Sequence, residues 1–172
     1  MKKFRFLQHL QRFILSAIFL GALWGSTLSA QKIHVSTGLE MLKAQHFKIL
    51  QGKRVGLITN PTGVDNNLRS TIDLLSHAPG VKLVALYGPE HGVRGNQHAG
   101  DNVDDNHDAE TGLPVYSLFG KTRKATPDML KDVDVLVYDI QDIGCRSFTY
   151  ISTMGLAMES ATCVLTLPKL SA

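Results

Sequence analysis

Leu83-Val84-Ala85-Leu86-Tyr87-Gly88-Pro89-Glu90-His91-Gly92-Val93-Arg94-Gly95 starts as an apolar run and ends as a polar turn. With Val81 and Lys82 before it, the run reads as a buried β-strand, short and rich in β-branched and aromatic residues. Proline has no amide hydrogen to give and fixes its own φ, so the strand stops at Gly88-Pro89. The turn beyond carries a carboxylate, an imidazole and a guanidinium within five positions. In an α/β sheet, ligands bind beyond the carboxyl ends of the strands. This turn is the first place to look for chemistry.

Two further runs share the pattern. Lys53 to Thr59 reads as an earlier buried strand, closed by the punctuating Asn60-Pro61-Thr62-Gly63, and Val133 to Ile140 reads as a later one. Helical patterns separate them. Ser36 to Leu50 offers Ser36 or Thr37 as a cap, Glu40 in the first turn, and Leu39, Leu42, Phe47 and Leu50 on one face. Asp65 to His77 places Leu68, Ile72 and Leu75 inward, and Ala78-Pro79-Gly80 stops it. Thr126-Pro127-Asp128 opens a short helix with proline at its first position. Tyr150 to Ala161 reads as a final helix. Residues 92–112 read as a long irregular loop, and Leu113 to Leu118 as an edge-like strand because of its proline. Strands alternating with helices predict an α/β fold, a Rossmann-like parallel sheet with helices on both faces. The strand ends at Thr59-Asn60, Tyr87-Gly88 and Asp139-Gln141 then converge on one edge.

The N-terminus reads differently. Lys2, Lys3, Arg5 and Arg12 precede and enter an apolar stretch, Phe13 to Trp24, and small residues run from Ser26 to Ala30. This is the pattern of a secretory signal peptide over residues 1–30, with an uncleaved membrane anchor as the alternative, and it implies a periplasmic or secreted protein with no stable membrane span after cleavage. The chain holds 18 Lys+Arg and 15 Asp+Glu. Those four basic residues and no acidic ones fall in the leader, so 14 basic groups remain against 15 acidic. The basic balance belongs to the leader, and nothing argues for nucleic acid as a partner. Two cysteines, Cys145 and Cys163, are too few for a disulfide scaffold, though an exported compartment would allow them to pair, and Cys145 reads as a small packed hydrophobe.

Glu90 is the leading candidate for general-acid work, with a solvated loop carboxylate or an Arg94 ion pair as the bland alternative. His91 could orient it or a sugar hydroxyl. Arg94 suits a substrate carboxylate, or else an acidic residue of the 101–110 loop. Asp139-Ile140-Gln141-Asp142-Ile143-Gly144-Cys145-Arg146 forms a second cluster at a strand end, offering Asp139, Gln141 and Asp142 to the cleft. Asp142 could instead cap the following helix. Acidic and histidine residues crowd positions 90–108, but their spacing fits neither a zinc helix nor a calcium loop, so no metal is expected. Phosphate-binding glycine motifs are lacking, so no cofactor is expected.

Gly52 to Val64, Gly88 to Gly95, Thr111 to Leu118, Val133 to Arg146 and Thr149 to Glu159, in that order, resemble the motifs of the exo-β-N-acetylmuramidase family. The resemblance covers roughly residues 33–160. It implies an exo-acting glycoside hydrolase that releases N-acetylmuramic acid from non-reducing ends of peptidoglycan fragments. It also implies a Rossmann-like domain followed by a smaller C-terminal one. Glu90 matches the glutamate of the family's Gly-Pro-Glu-His-Gly motif, its proposed catalytic acid. Glycosidases usually pair two carboxylates, and Asp139 and Asp142 are candidates for the second; alternatively the substrate's acetamido group serves. By charge, Arg94 suits the lactyl carboxylate of muramic acid, and Asn60, His91, Gln141 and Arg146 complete the expected substrate contacts. Beyond Glu159 the chain departs from the family, as a prematurely ended chain does. The expected organisation is thus a leader (1–30), an incomplete catalytic domain (31–160) and a divergent tail (161–172). The alternative function is a non-catalytic sugar-binding module.

Overall fold

A computed structural model describes residues 11–16, 35–96, 98 and 106–165. The chain divides into two units, Met1–Val35 and Ser36–Ala172. In the first, residues 11–16 are helical, and the rest of the expected leader lies outside the described residues. No helix among the described residues is long and apolar enough to cross a membrane.

The second unit is a five-stranded sheet in the order β3-β4-β2-β1-β5. Its strands are β1 (Arg54–Thr59), β2 (Lys82–Gly88), β3 (Asn106–His107), β4 (Pro114–Ser117) and β5 (Val135–Asp139). β1 pairs in parallel with β2 and β5, β2 pairs in parallel with β4, and β3 alone runs antiparallel, against β4. The helices are α1 (Gly38–Ala44), α2 (Thr71–Ser76), α3 (Pro127–Leu130) and α4 (Tyr150–Leu165), with a 3₁₀ turn at Lys48–Leu50.

Strand alternation divides the core between the two sheet faces. Val55, Leu57 and Leu86 pack with Phe47, Leu50, Ile72 and Leu75 on one face, against the α1–3₁₀ segment and α2. Ile58, Ala85 and Tyr87 pack with Leu130, Val133 and Ala157 on the other, against α3 and α4. Helices cover both faces, as the pattern requires. Between Val55 and Gly56 the β1–β2 register slips, leaving Val84 as an extra residue. The slip puts Val84 and Ala85 on the same side, facing the α3–α4 layer.

Several boundaries differ from the sequence expectation, each for a local reason. The Thr37–Glu40 capping box forms, but the first helix stops at Ala44 because His46 and Phe47 take left-handed backbone, φ +52° and +53°. The expected helix from Asp65 shrinks to α2. Residues 65–70 instead wrap around the Asp65 carboxylate, which accepts from the amides of Asn67 and Arg69 at 2.9 and 3.0 Å. It also takes Lys43 Nζ at 2.6 Å and Arg69 Nη2 at 2.9 Å. Two backbone amides held by one buried carboxylate offer this segment an alternative to the helix. Leu68, expected inward, is 81% exposed at φ +61°. β4 is not an edge strand, since β3 forms inside the expected loop and pairs Pro114 with His107. β5 is the edge on the other side among the described residues, and all of it is only half-buried.

Gly56 sits where a side chain cannot. A Cβ there would lie 2.8 Å from the Tyr87 ring and 3.1 Å from Leu136 Cδ2. Gly56→Ala is therefore expected to destabilise the fold by about 1–3 kcal/mol through overpacking. Urea unfolding checks it, and an unchanged midpoint would show that the β1–β2–β5 contact is looser than described.

Candidate active site

The parallel register brings the carboxyl ends of β1, β2 and β5 together. Thr59 lies opposite Asp139, and Ile58 lies opposite Tyr87. Side-chain hydrogen bonds then lace the two loops beyond β1 and β5. Thr59 Oγ1 donates to the Asp139 carbonyl at 2.8 Å. The Gln141 amide donates to Thr62 Oγ1 at 2.8 Å, and that hydroxyl donates to Asn60 Oδ1 at 2.6 Å. Asn60 is buried and also accepts from the Thr62 amide at 3.0 Å. Its oxygen builds the turn. Gly63 is tight here as well, since a Cβ would collide with Thr59 Oγ1.

The Asp139 carboxylate accepts the Thr71 hydroxyl at the start of α2. Asp142 Oδ1 accepts from the Gly144 amide at 2.7 Å, whereas its Oδ2 is buried and has no partner among the described residues. It closes its own turn and does not cap α4, which starts eight residues further on. Burial, aided by the Asp142 charge, pushes the Tyr138 phenol up to about 12. It stays protonated and donates to the Tyr150 carbonyl at 2.9 Å, tying β5 to the first residue of α4.

Glu90 lies on the turn that leaves β2. Pro89 closes that turn through its carbonyl, which accepts from the Gly92 amide at 2.9 Å, and His91 adopts φ +72°. Left-handed backbone on a residue with a side chain costs energy and persists where the surroundings over-determine it. Glu90 Oε2 accepts the Thr149 hydroxyl at 3.0 Å. Glu90, His91, Ser147, Phe148, Thr149 and Tyr150 line a cavity of about 180 Å³. Gln141 and Arg146 are exposed on the neighbouring loop. The groove between α1 and α2 is larger, about 750 Å³, but holds none of the three carboxylates.

Arg94 is occupied. Its Nε and Nη2 donate to Asp108 at 2.6 and 3.0 Å, and Nη2 also meets Asp73 at 3.2 Å and Glu110 at 3.3 Å. The Asp108 hydrogen bond holds the guanidinium well above its usual range. In return Arg94 lowers the Asp108 carboxyl from 3.8 to about 2. Arg94 thus pins the 106–112 segment to α2 while lining a second cavity of about 240 Å³ with Thr59, Asn60 and Gly63. Cys145 is exposed rather than packed, its thiol is lowered by the Ser147 hydroxyl, and both cysteines are free. No cluster of metal-ligating side chains forms among the described residues.

Thr149, Thr62 and Thr71 hold the site's carboxylate and amide groups, and the sequence did not mark them. Each lies at the start of a helix or inside a turn, where threonine is usual for local reasons. Their long-range partners, 59 residues away for Thr149, appear only in the fold.

The profile of the family described as exo-β-N-acetylmuramidase NamZ, N-terminal, matches residues 55–165. A peptidoglycan β-N-acetylmuramidase NamZ of Bacillus subtilis (strain 168) is 56% identical over 133 residues, 77% of this chain and 32% of that protein. Two DUF1343 family crystal structures from Bacteroides fragilis NCTC 9343 are similar in fold. One gives TM-score 0.67 at 75% identity over 73% of this chain and 31% of that one. The other gives TM-score 0.61 at 35% identity over 75% and 32%. The chain spans about a third of the length of these relatives.

The Arg94–Asp108 pair sets an acid limit on stability. A carboxyl whose folded pKa is depressed contributes stability above its unfolded value and loses it as pH falls toward the folded one. For Asp108 that window runs from 3.8 down to about 2. Asp108→Asn is expected to lower stability at pH 5 and to flatten the decline between pH 4 and 2. Urea midpoints across that range test it, and an unchanged pH slope would rule the pair out as the linked group.

Proposed function

The chain belongs to the exo-β-N-acetylmuramidase NamZ family, whose N-terminal profile covers most of it, and on that footing we propose that it is an exo-acting glycoside hydrolase. Its substrate is a peptidoglycan fragment, from whose non-reducing end it removes N-acetylmuramic acid. The observation that carries this reading is Glu90: a half-buried carboxylate beside a small cavity, on the strained turn that ends a parallel strand, held by a hydroxyl from a helix start.

Glu90 is the general acid that protonates the glycosidic oxygen as the bond to the sugar breaks. Of the two candidates for a second carboxylate, Asp139 receives the Thr71 hydroxyl and Asp142 the Gly144 amide, and the other Asp142 oxygen is buried without a partner among the described residues. Asp142, on the loop that also carries the exposed Gln141 and Arg146, takes that place. Arg94 is surrounded by Asp73, Asp108 and Glu110, a poor setting for a further anion. The exposed Arg146, on the Asp142 loop, takes the lactyl carboxylate instead, with His91, Asn60 and Gln141 around the sugar. The basic and apolar character of residues 1–30 supports export to the periplasm or beyond, where such a substrate lies.

Glu90→Gln is expected to lower kcat on a chromogenic β-N-acetylmuramide by about 10²–10⁴-fold, the usual contribution of a general acid. Binding of N-acetylmuramic acid, followed by calorimetry, is expected to persist in the same variant. An unchanged rate would remove Glu90 from the reaction. Binding without turnover in the unmodified chain would favour the non-catalytic sugar-binding module.

A further inference from the structure

We infer that Thr149 is a positioning residue for Glu90, setting the orientation of the acid from a rigid helix start. The inference rests on the reading of Glu90 as the general acid. Glu90 itself sits on a turn, and a turn alone leaves a three-bond side chain several rotamers. Thr149 is fixed from several sides. Its carbonyl accepts the Thr153 amide at 3.0 Å, opening α4. The next residue, Tyr150, is buried, and its carbonyl takes the Tyr138 hydroxyl from β5. Phe148, on the other side, packs edge-on against the Tyr150 ring, with centroids 5.7 Å apart.

A threonine before a helix ordinarily turns its oxygen to the helix's own amides, as Thr37 and Thr126 do here. The Thr149 hydroxyl instead donates to Glu90 Oε2. The acid is thereby referenced to α4 and β5, which are secondary elements, and not to its own loop. Side chains that hold a reacting group in place act through geometry, so their removal lowers turnover more than affinity.

The test compares the wild type with Thr149→Val, Thr149→Ser and Glu90→Gln on the chromogenic muramide, with the Thr149 methyl resonance followed by NMR. Thr149→Val keeps the shape and removes the hydroxyl; it is expected to lower kcat by about tenfold or more while KM stays within about twofold. Thr149→Ser is expected to restore most of kcat. Combining Thr149→Val with Glu90→Gln is expected to add no further loss, and Glu90→Gln is expected to shift the Thr149 methyl signal. Should Thr149→Val lose its folded spectrum, the Ser variant and the methyl shift decide. Full turnover by Thr149→Val, a serine variant as slow as the valine one, a loss confined to KM, or an unmoved methyl signal each overturn the inference. In those cases Glu90→Gln still lowers kcat by about 10²–10⁴-fold and the proposed function stands. A wild type that does not turn over removes the proposed function and this inference with it.

Discussion

Thr59 faces Asp139 across β1 and β5, and Ile58 faces Tyr87 across β1 and β2. That double parallel register of the central strand is the constraint from which the site follows. β1 beyond Arg54 is buried throughout, because helices cover both faces and neighbours cover both sides. A strand so enclosed can offer groups to a ligand only from the loops at its ends, and in a parallel sheet those are the loops beyond the carboxyl ends. Parallel pairing makes its neighbours emerge at the same end. Three loops from distant parts of the sequence therefore meet, and the hydroxyls of Thr59, Thr62 and Thr71 connect the segments that follow β1 to the end of β5.

The sheet was legible because its signal is strong. Apolar runs bounded by turn residues leave few alternatives, and each of the three strands expected to be buried lies within about a residue or two of its expected limits, although β5 is only half-buried. Helices on both faces followed from the alternation alone. The failures lie where a single polar side chain overrides periodicity. Asp65 gathers two amides and two cations, and a segment that scores as helix becomes a loop. The short β3 was illegible for the opposite reason: Asn106 and His107 carry no strand propensity and pair only because β4 offers them an edge.

Where the candidate residues stand on the fold was legible, and what they bind there was less so. Glu90 stands on the turn where the strand end predicted it. Arg94, by contrast, belongs as much to the architecture as to the site. An arginine in a motif announces a need for a fork of donors, not what fills the fork. Here two aspartates and a glutamate do. One of them, Asp73, comes from a helix on the far side of the motif in sequence, which no local reading supplies. Asp139 is similar, since a strand-end carboxylate signals polar business without saying whether the partner is a ligand or Thr71.

The hydrogen bond between Glu90 and Thr149 also bears on the order of events during synthesis. Glu90 leaves the ribosome 59 residues ahead of its partner. Contacts of such separation close late, after the intervening loop entropy has been overcome. A growing chain thus exposes its motif before the hydroxyl that Glu90 accepts has emerged, and gains that hydroxyl only when α4 docks beside β5. The Glu90–Thr149 bond is in this sense a report that α4 has docked, which ties the order of the turn beyond β2 to the packing of a later segment.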